Sequence, residues 1–372
     1  MKFLSLFFLV ASFAFANGKD LNLSPEAEKA FKQHLNKAFG TSEYKLIGDL
    51  SAGGSGASLK IIAVNGKNYV LRTISTKRTK VQVQSEFVAT EISSTLNIGP
   101  KIYFYDLAHR LLLTDYLTPL KGQTTDYPGR VVNDMSQYLS KLNQININLN
   151  DQSFKNVIKI FQSWNLDKCP RKIKKTFEKI LSKVLDSYKL FQDFSPMLAH
   201  NDLHFGNILV DKERAYIIDW EEFYISNAPF ELAATIYRVV ADESLKDSLM
   251  QKFYNRVPTK IDHAKFRIGS IIYLFMQAVK DLSTLDEKDR FGITYNEYKA
   301  LPEPTIHLKK VLDKNEEITL ETKKVYFWSM MKKVDSLVSE RGFKDDFKLI
   351  NKSEKREPKA FKRTVLERFK ES

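Results

Sequence analysis

From Tyr44 to Leu120 the apolar residues fall mostly in short β-type runs, and beyond Gly122 they recur mostly at helical spacing. Strands gathered first and helices gathered after them predict an α+β chain, with a small β-rich N-terminal part and a larger helical C-terminal part. Within the first block YKLIGDL is followed by the glycine cluster AGGSG, then by LKIIAV, the turn Asn65-Gly66-Lys67 and NYVLRTI. Asn-Gly between two apolar runs predicts a tight hairpin. The segment SEFVATEISSTLNIG reads as a helix stopped at Gly99-Pro100, and IYFYD and RLLLTDYL read as two more strands.

The helical block is clearest at Phe177, Ile180, Leu181, Val184, Leu185 and Tyr188, where Lys175, Lys179, Lys183 and Asp186 occupy the other side. ELAATIYRVV and FRIGSIIYLFMQAV are further helical segments. Two short β runs, NILV and AYIID, interrupt them and are joined by the polar turn Asp211-Lys212-Glu213-Arg214.

The chain opens with a different texture. Lys2 precedes an apolar run from Phe3 to Val10 broken only by Ser5, and Ala14-Phe15-Ala16 is a small-x-small cleavage pattern. Residues 1–16 therefore read as a signal peptide, and export (secretion, a periplasm or a secretory-pathway lumen) is the expectation. Residues 17–43 form an N-terminal helical extension, with Ser24-Pro25-Glu26 as its capped start. The β-rich part spans 44–122 and the larger helical part 123–340. A basic tail fills 341–372, with 11 Lys and Arg against 6 Asp and Glu. The formal net charge of +13 favours anionic partners, although a lysine-rich soluble surface gives the same count. Basic clusters at 170–175 and 352–363 lack interleaved stacking aromatics, which argues against nucleic acid. Contact of the tail with an acidic membrane surface is the remaining electrostatic option. Cys169 is the sole cysteine, which excludes an internal disulfide and a cysteine-based zinc site.

The chemistry concentrates in LAHNDLHFGNILV, residues 198–210, where His200-x-Asp202 is followed by Asn207, with Asp219 twelve residues further on behind a β hairpin. Phosphoryl transfer asks for a carboxylate to take the proton of an attacking hydroxyl, oxygen ligands for Mg²⁺, and cations to steady the moving charge. An Asp on a loop, an Asn five residues later and an Asp after the next strand supply the first two.

With YIIDWEEF behind it, this segment resembles the catalytic segment of the choline/ethanolamine kinase and aminoglycoside phosphotransferase superfamily, whose fold is protein-kinase-like. The resemblance implies ATP and Mg²⁺ as cofactors, Asp202 as catalytic base, His200 as the structural residue of the loop, and Asn207 and Asp219 as metal ligands. It also implies phosphate contacts from the loop Gly53, Gly54, Ser55 and Gly56 and from Arg72, an ion pair between Arg72 and Glu86, and an adenine border at Asp115, Tyr116 and Leu117. Glu91 is the rival partner of Arg72, but it faces away if Phe87 and Ile92 face the core.

Two departures bear on the acceptor. After Asp219 the chain reads EEFYISNAPFELAATIYRVV, in which Glu221, Glu222 and Tyr224 are candidate acceptor contacts but the tryptophan-containing signature of choline kinases is missing. Glu231 stands where the family usually places an Asp. The resulting expectation is an ATP-dependent small-molecule kinase acting on a hydroxyl, with a choline- or ethanolamine-like amino alcohol first. The alternatives are an aminoglycoside or sugar kinase of the same fold, or a catalytically idle kinase-like binding protein.

Overall fold

A computed structural model of the chain describes residues 21–50, 57–120, 124–145, 153–313 and 319–354. The expected signal peptide, the loop Gly53 to Gly56 and the tail beyond residue 354 lie outside the described residues. Nine strands are present among those described: β1 (Lys45–Leu50), β2 (Ser58–Val64), β3 (Lys67–Thr73), β4 (Ile102–Asp106), β5 (Leu111–Asp115), β6 (Pro196–Ala199), β7 (Ile208–Val210), β8 (Ala215–Ile217) and β9 (Tyr224–Asn227). The helices used below are α1 (Pro25–Phe39), α2 (Lys80–Thr95), α3 (Pro128–Asn143), α4 (Ser153–Gln162), α5 (Arg171–Phe191), α6 (Ala228–Ala234), α7 (Lys246–Tyr254) and α8 (Lys260–Ser283), and five more follow in the C-terminal part. The chain divides into two compact units, Met1–Lys121 with Gly206–Phe223, and Gly122–Phe205 with Tyr224–Ser372.

The first unit is built on an antiparallel five-stranded sheet in the order β1-β2-β3-β5-β4. The Asn65-Gly66 turn closes β2 on β3 with Val64 opposite Lys67, and both turn residues hold positive φ, 49° and 77°. That is the mirror-image turn geometry that matches strand twist and that Asn-Gly adopts at least cost. Alternation along β5 sends Leu111 and Leu113 to one face and Leu112 to the other. On the first face they join Phe31 and Leu35 of α1 with Ile62, Val64, Tyr69 and Leu71; on the second, Leu112 meets Val83 and Phe87 of α2 and Ile74. α1 is capped by Ser24, whose hydroxyl accepts from Ala27 N at 3.2 Å.

α2 starts five residues ahead of the expected segment because Thr79 and Gln82 form a reciprocal capping box, Gln82 N to Thr79 Oγ1 at 3.3 Å and Thr79 N to Gln82 Oε1 at 2.9 Å. The β7–β8 hairpin also belongs to this unit, whereas the sequence boundaries assign it to the helical part. Backbone bonds explain the difference: Leu120 N donates to Val210 O at 2.7 Å, and Ile217 N to Ile98 O at 3.0 Å.

The second unit is helical, with α8 buried along most of its length. Of the expected α5 stripe, Phe177, Ile180 and Val184 are buried and Leu181, Leu185 and Tyr188 half-buried, and Ile173 extends the buried side by one turn. A Cβ on Gly269 of α8 would stand 2.5 Å from the Pro229 carbonyl, so that residue lets α8 approach α6 closely. ELAATIYRVV is not one regular helix: α6 passes into a π-helical turn, Thr235–Val240, which ends at Ala241 with φ 51°. Beyond the sequence expectations, β6 pairs with β9, Leu198 opposite Ile225.

Candidate active site

In the helical unit the site is the loop that leaves β6. His200 is fully buried, and its Nδ1 accepts the Asp202 backbone N–H at 3.3 Å, which closes the loop locally. Asn201 between them has φ 63°, a left-handed conformation that asparagine tolerates better than most residues. Glu231, fully buried at the start of α6, accepts the Asn201 backbone N–H on Oε1 at 2.9 Å. Burial pushes the Glu231 carboxyl up to about 7, against the opposing pull of the Asn201 and His200 amides.

Asp202 has a histidine and an arginine as neighbours: His204 Nε2 lies 3.7 Å from its Oδ2 and Arg238 Nη1 lies 3.9 Å from its Oδ1. Arg238 comes from the π-helical turn and is 1% exposed, with Nη1 3.0 Å from Gln277 Oε1 of α8. Burial raises the Asp281 carboxyl on the same helix to about 6, while Arg238 works the other way. Arg238 Nη2, Gln277 Nε2 and Asp281 Oδ2 are buried without a hydrogen-bond partner among the described residues.

In the sheet unit a second set of groups converges on Arg72 of β3. Its Nη2 lies 3.0 Å from Glu86 Oε1, 3.0 Å from Asp219 Oδ1 and 3.8 Å from Glu221 Oε2. Burial opposes the charge on Arg72, but Asp219, Glu86 and Glu221 together raise its pKa above the ordinary arginine value. Glu86 is 2% exposed; burial raises its pKa, and Arg72 and Arg78 pull it down. Glu91, the rival, is exposed. Asp219 sits at φ 62° and ψ 65° two residues after the end of β8. Asn207, nearly buried, passes its carbonyl to Ile218 N at 3.0 Å, so the two expected metal ligands stand at the same end of the β7–β8 hairpin. An amide oxygen and a carboxylate oxygen are hard donors that fit Mg²⁺, which takes few protein ligands. Among the described residues no group of three or more His, Cys, Asp or Glu side chains forms a metal cluster.

Asp115 ends β5 and takes Lys67 Nζ at 2.8 Å and Tyr103 Oη at 3.0 Å, with Tyr116 and Leu117 half-buried after it. Glu221, expected beside the acceptor, has its carboxylate on Arg78 Nη1 at 2.7 Å; Glu222 and Tyr224 are exposed. Sequence reasoning missed Arg78, His204 and Arg238. A lone arginine within the apolar run of ELAATIYRVV is a usable signal for Arg238, but Arg78 in STKRTK reads as an ordinary solvated turn.

The model of a phosphotransferase enzyme family matches residues 49–259, more than half of the chain. No curated protein sequence matches. Among solved structures the chain is similar to a choline/ethanolamine kinase family protein from Mesorhizobium loti, with a TM-score of 0.56 and 12% identity over 80% of this chain and 94% of that one. It is similar to choline kinase LicA from Streptococcus pneumoniae, with a TM-score of 0.53 and 16% identity over 84% and 99% of the two chains. LicA in complex with AMP gives a TM-score of 0.52 at 16% identity, over 84% and 100%. The likeness is one of fold: a small antiparallel-sheet N-lobe and a larger helical C-lobe of the kinase-like kind.

Proposed function

The chain belongs to the phosphotransferase enzyme family, and from that membership we propose that it moves the γ-phosphate of ATP to a hydroxyl of a small molecule, with a choline- or ethanolamine-like amino alcohol as the first acceptor. The observation that carries the reading is Arg72, held within 3.0 Å of both Glu86 and Asp219, beside a hairpin end that presents Asn207. A nucleotide phosphate needs that combination of fixed cation and hard oxygen donors. The AMP-bound structure of LicA supports an adenine nucleotide, and its choline kinase name supports the amino alcohol.

In this reading the acceptor hydroxyl attacks the γ-phosphorus, the bond to the β–γ bridging oxygen breaks, ADP leaves, and the hydroxyl proton passes to Asp202. Glu231 holds the Asp202 loop through backbone N–H groups, so the carboxylate is set before the acceptor arrives. Arg72 steadies the phosphate oxygens. Asn207 and Asp219 hold Mg²⁺, which supplies charge neutralisation at the phosphates.

One observation favours a second acceptor class, a neutral sugar hydroxyl. The Arg238 guanidinium stands 3.9 Å from Asp202 and adds positive charge at the base, which works against a cationic acceptor. The test is transfer of label from γ-labelled ATP with Mg²⁺ to choline, ethanolamine, aminoglycosides and neutral sugars, with Asp202→Asn as control. Label on the amino alcohols, lost in the variant, supports the first reading; label on sugars alone supports the second. Nucleotide binding without transfer to any acceptor points to an idle kinase-like binding protein, and no nucleotide binding overturns the proposal.

A further inference from the structure

Arg78 lies between β3 and α2 and touches no group that the sequence singles out apart from Glu86 and Glu221. Its Nη1 lies 2.9 Å from Glu86 Oε2 and 2.7 Å from Glu221 Oε2, and its Nη2 donates to the Glu221 carbonyl at 3.1 Å. One guanidinium thus binds a carboxylate on α2 and both the side chain and the main chain of the turn that follows Asp219. Its own backbone is pinned in turn: Arg110 Nη1 donates to Ser75 O and to Arg78 O, each at 2.8 Å.

Two features make this more than a surface ion pair. Asp219 holds a left-handed backbone conformation, which is strained for a non-glycine residue and persists only where its surroundings impose it. Arg78 grips the chain two residues later, and Trp220 Nε1 bonds Ile217 O at 3.2 Å, so the turn is fixed beyond its bend. Glu86 also divides its two oxygens, Oε1 to Arg72 and Oε2 to Arg78. If Arg72 turns toward a phosphate, Glu86 keeps a cation, and so does Glu221. Two arginines thus face the three carboxyl groups Glu86, Asp219 and Glu221.

We propose that Arg78 is a positioning residue of the transfer site: it braces the Asp219–Glu221 turn against α2 so that Asp219 is presented to the metal. The inference rests on the function proposed above. It depends on the fork of a guanidinium, because a lysine ammonium is a point charge that cannot hold Glu86, the Glu221 carboxylate and the Glu221 carbonyl in one fixed plane.

The test compares the full chain as wild type, Arg78→Lys and Arg78→Ala. Calorimetry gives the affinity for a non-hydrolysable ATP analogue with and without Mn²⁺, electron paramagnetic resonance counts bound Mn²⁺, and unliganded thermal unfolding is recorded for each. We expect affinity for the analogue alone to stay within about twofold, and the gain in affinity conferred by Mn²⁺ to fall about tenfold in both variants. Arg78→Lys should melt within a few degrees of wild type. If Arg78→Ala fails to fold, Arg78→Lys decides. A folded Arg78→Lys that keeps the full metal-dependent gain overturns the proposal, as does a lower melting temperature with an unchanged gain. Wild type that binds no nucleotide even with Mn²⁺ overturns the functional reading itself, an outcome visible before any variant is measured.

Discussion

Glu231 Oε1 accepts the Asn201 backbone N–H at 2.9 Å, so a fully buried carboxylate thirty residues downstream in the chain holds the loop that carries Asp202. The bond is made to main chain, and a neutral amide can replace the carboxylate in it. Glu231→Gln should therefore fold and keep the loop, whereas Glu231→Leu strands at least one buried N–H, at about 1–3 kcal/mol. Chemical denaturation of both variants checks this; equal stability of the two would show that the bond is not holding the loop.

The same carboxyl predicts a pH dependence. Its ordinary value is 4.5, and burial raises it to about 7 in the folded chain. The folded protein binds that proton more tightly than the unfolded chain, so the stability it contributes is complete below about pH 4.5 and is lost as the pH rises through about 7. The advantage of wild type over Glu231→Gln should shrink across that window by about 3 kcal/mol. Parallel stability curves would mean that the carboxyl does not titrate there.

Asp202→Asn keeps the shape of the side chain and removes a proton acceptor. Turnover with whichever acceptor proves active should fall about 10²–10⁴-fold, the usual contribution of a general base, with nucleotide affinity unchanged. Steady-state kinetics and nucleotide titration on the same preparation separate the two effects. A variant that turns over at the wild-type rate would remove Asp202 from the mechanism.

Arg72→Ala breaks a buried ion pair, a change that ordinarily costs about 3–5 kcal/mol because the abandoned charge stays buried. Here Arg78 remains on the other oxygen of Glu86, so the loss should lie near the lower edge of that range. The Arg72→Ala, Arg78→Ala double variant should lose more than the sum of the single ones. Urea titration of the three proteins measures the coupling; strict additivity would show that the arginines act independently.

The signal peptide expected at residues 1–16 carries a prediction independent of the site. Export with cleavage after Ala16 leaves a chain that begins at Asn17, which mass spectrometry of the protein from its native source reads directly. An intact Met1–Ala16 segment on cytosolic protein would refute it.

Much of this chain is legible in its sequence. The Asn65-Gly66 hairpin, the strands around Tyr103 and Leu112, the buried stripe of α5 and the grouping of strands before helices follow from periodicities and turn chemistry that act over a few residues. The pairing of Arg72 with Glu86 was legible from a resemblance in residue order. Tertiary structure alone decided what depends on groups far apart in the chain. It gave Glu221 to Arg78 across 143 positions, set Arg238 beside Asp202, and joined the β7–β8 hairpin to the sheet unit through Leu120 and Ile98. Local sequence carries no signal for such partners, because a charged side chain in a polar turn such as STKRTK looks the same whether it meets water or a buried carboxylate. Only the packing that excludes the water tells the two apart.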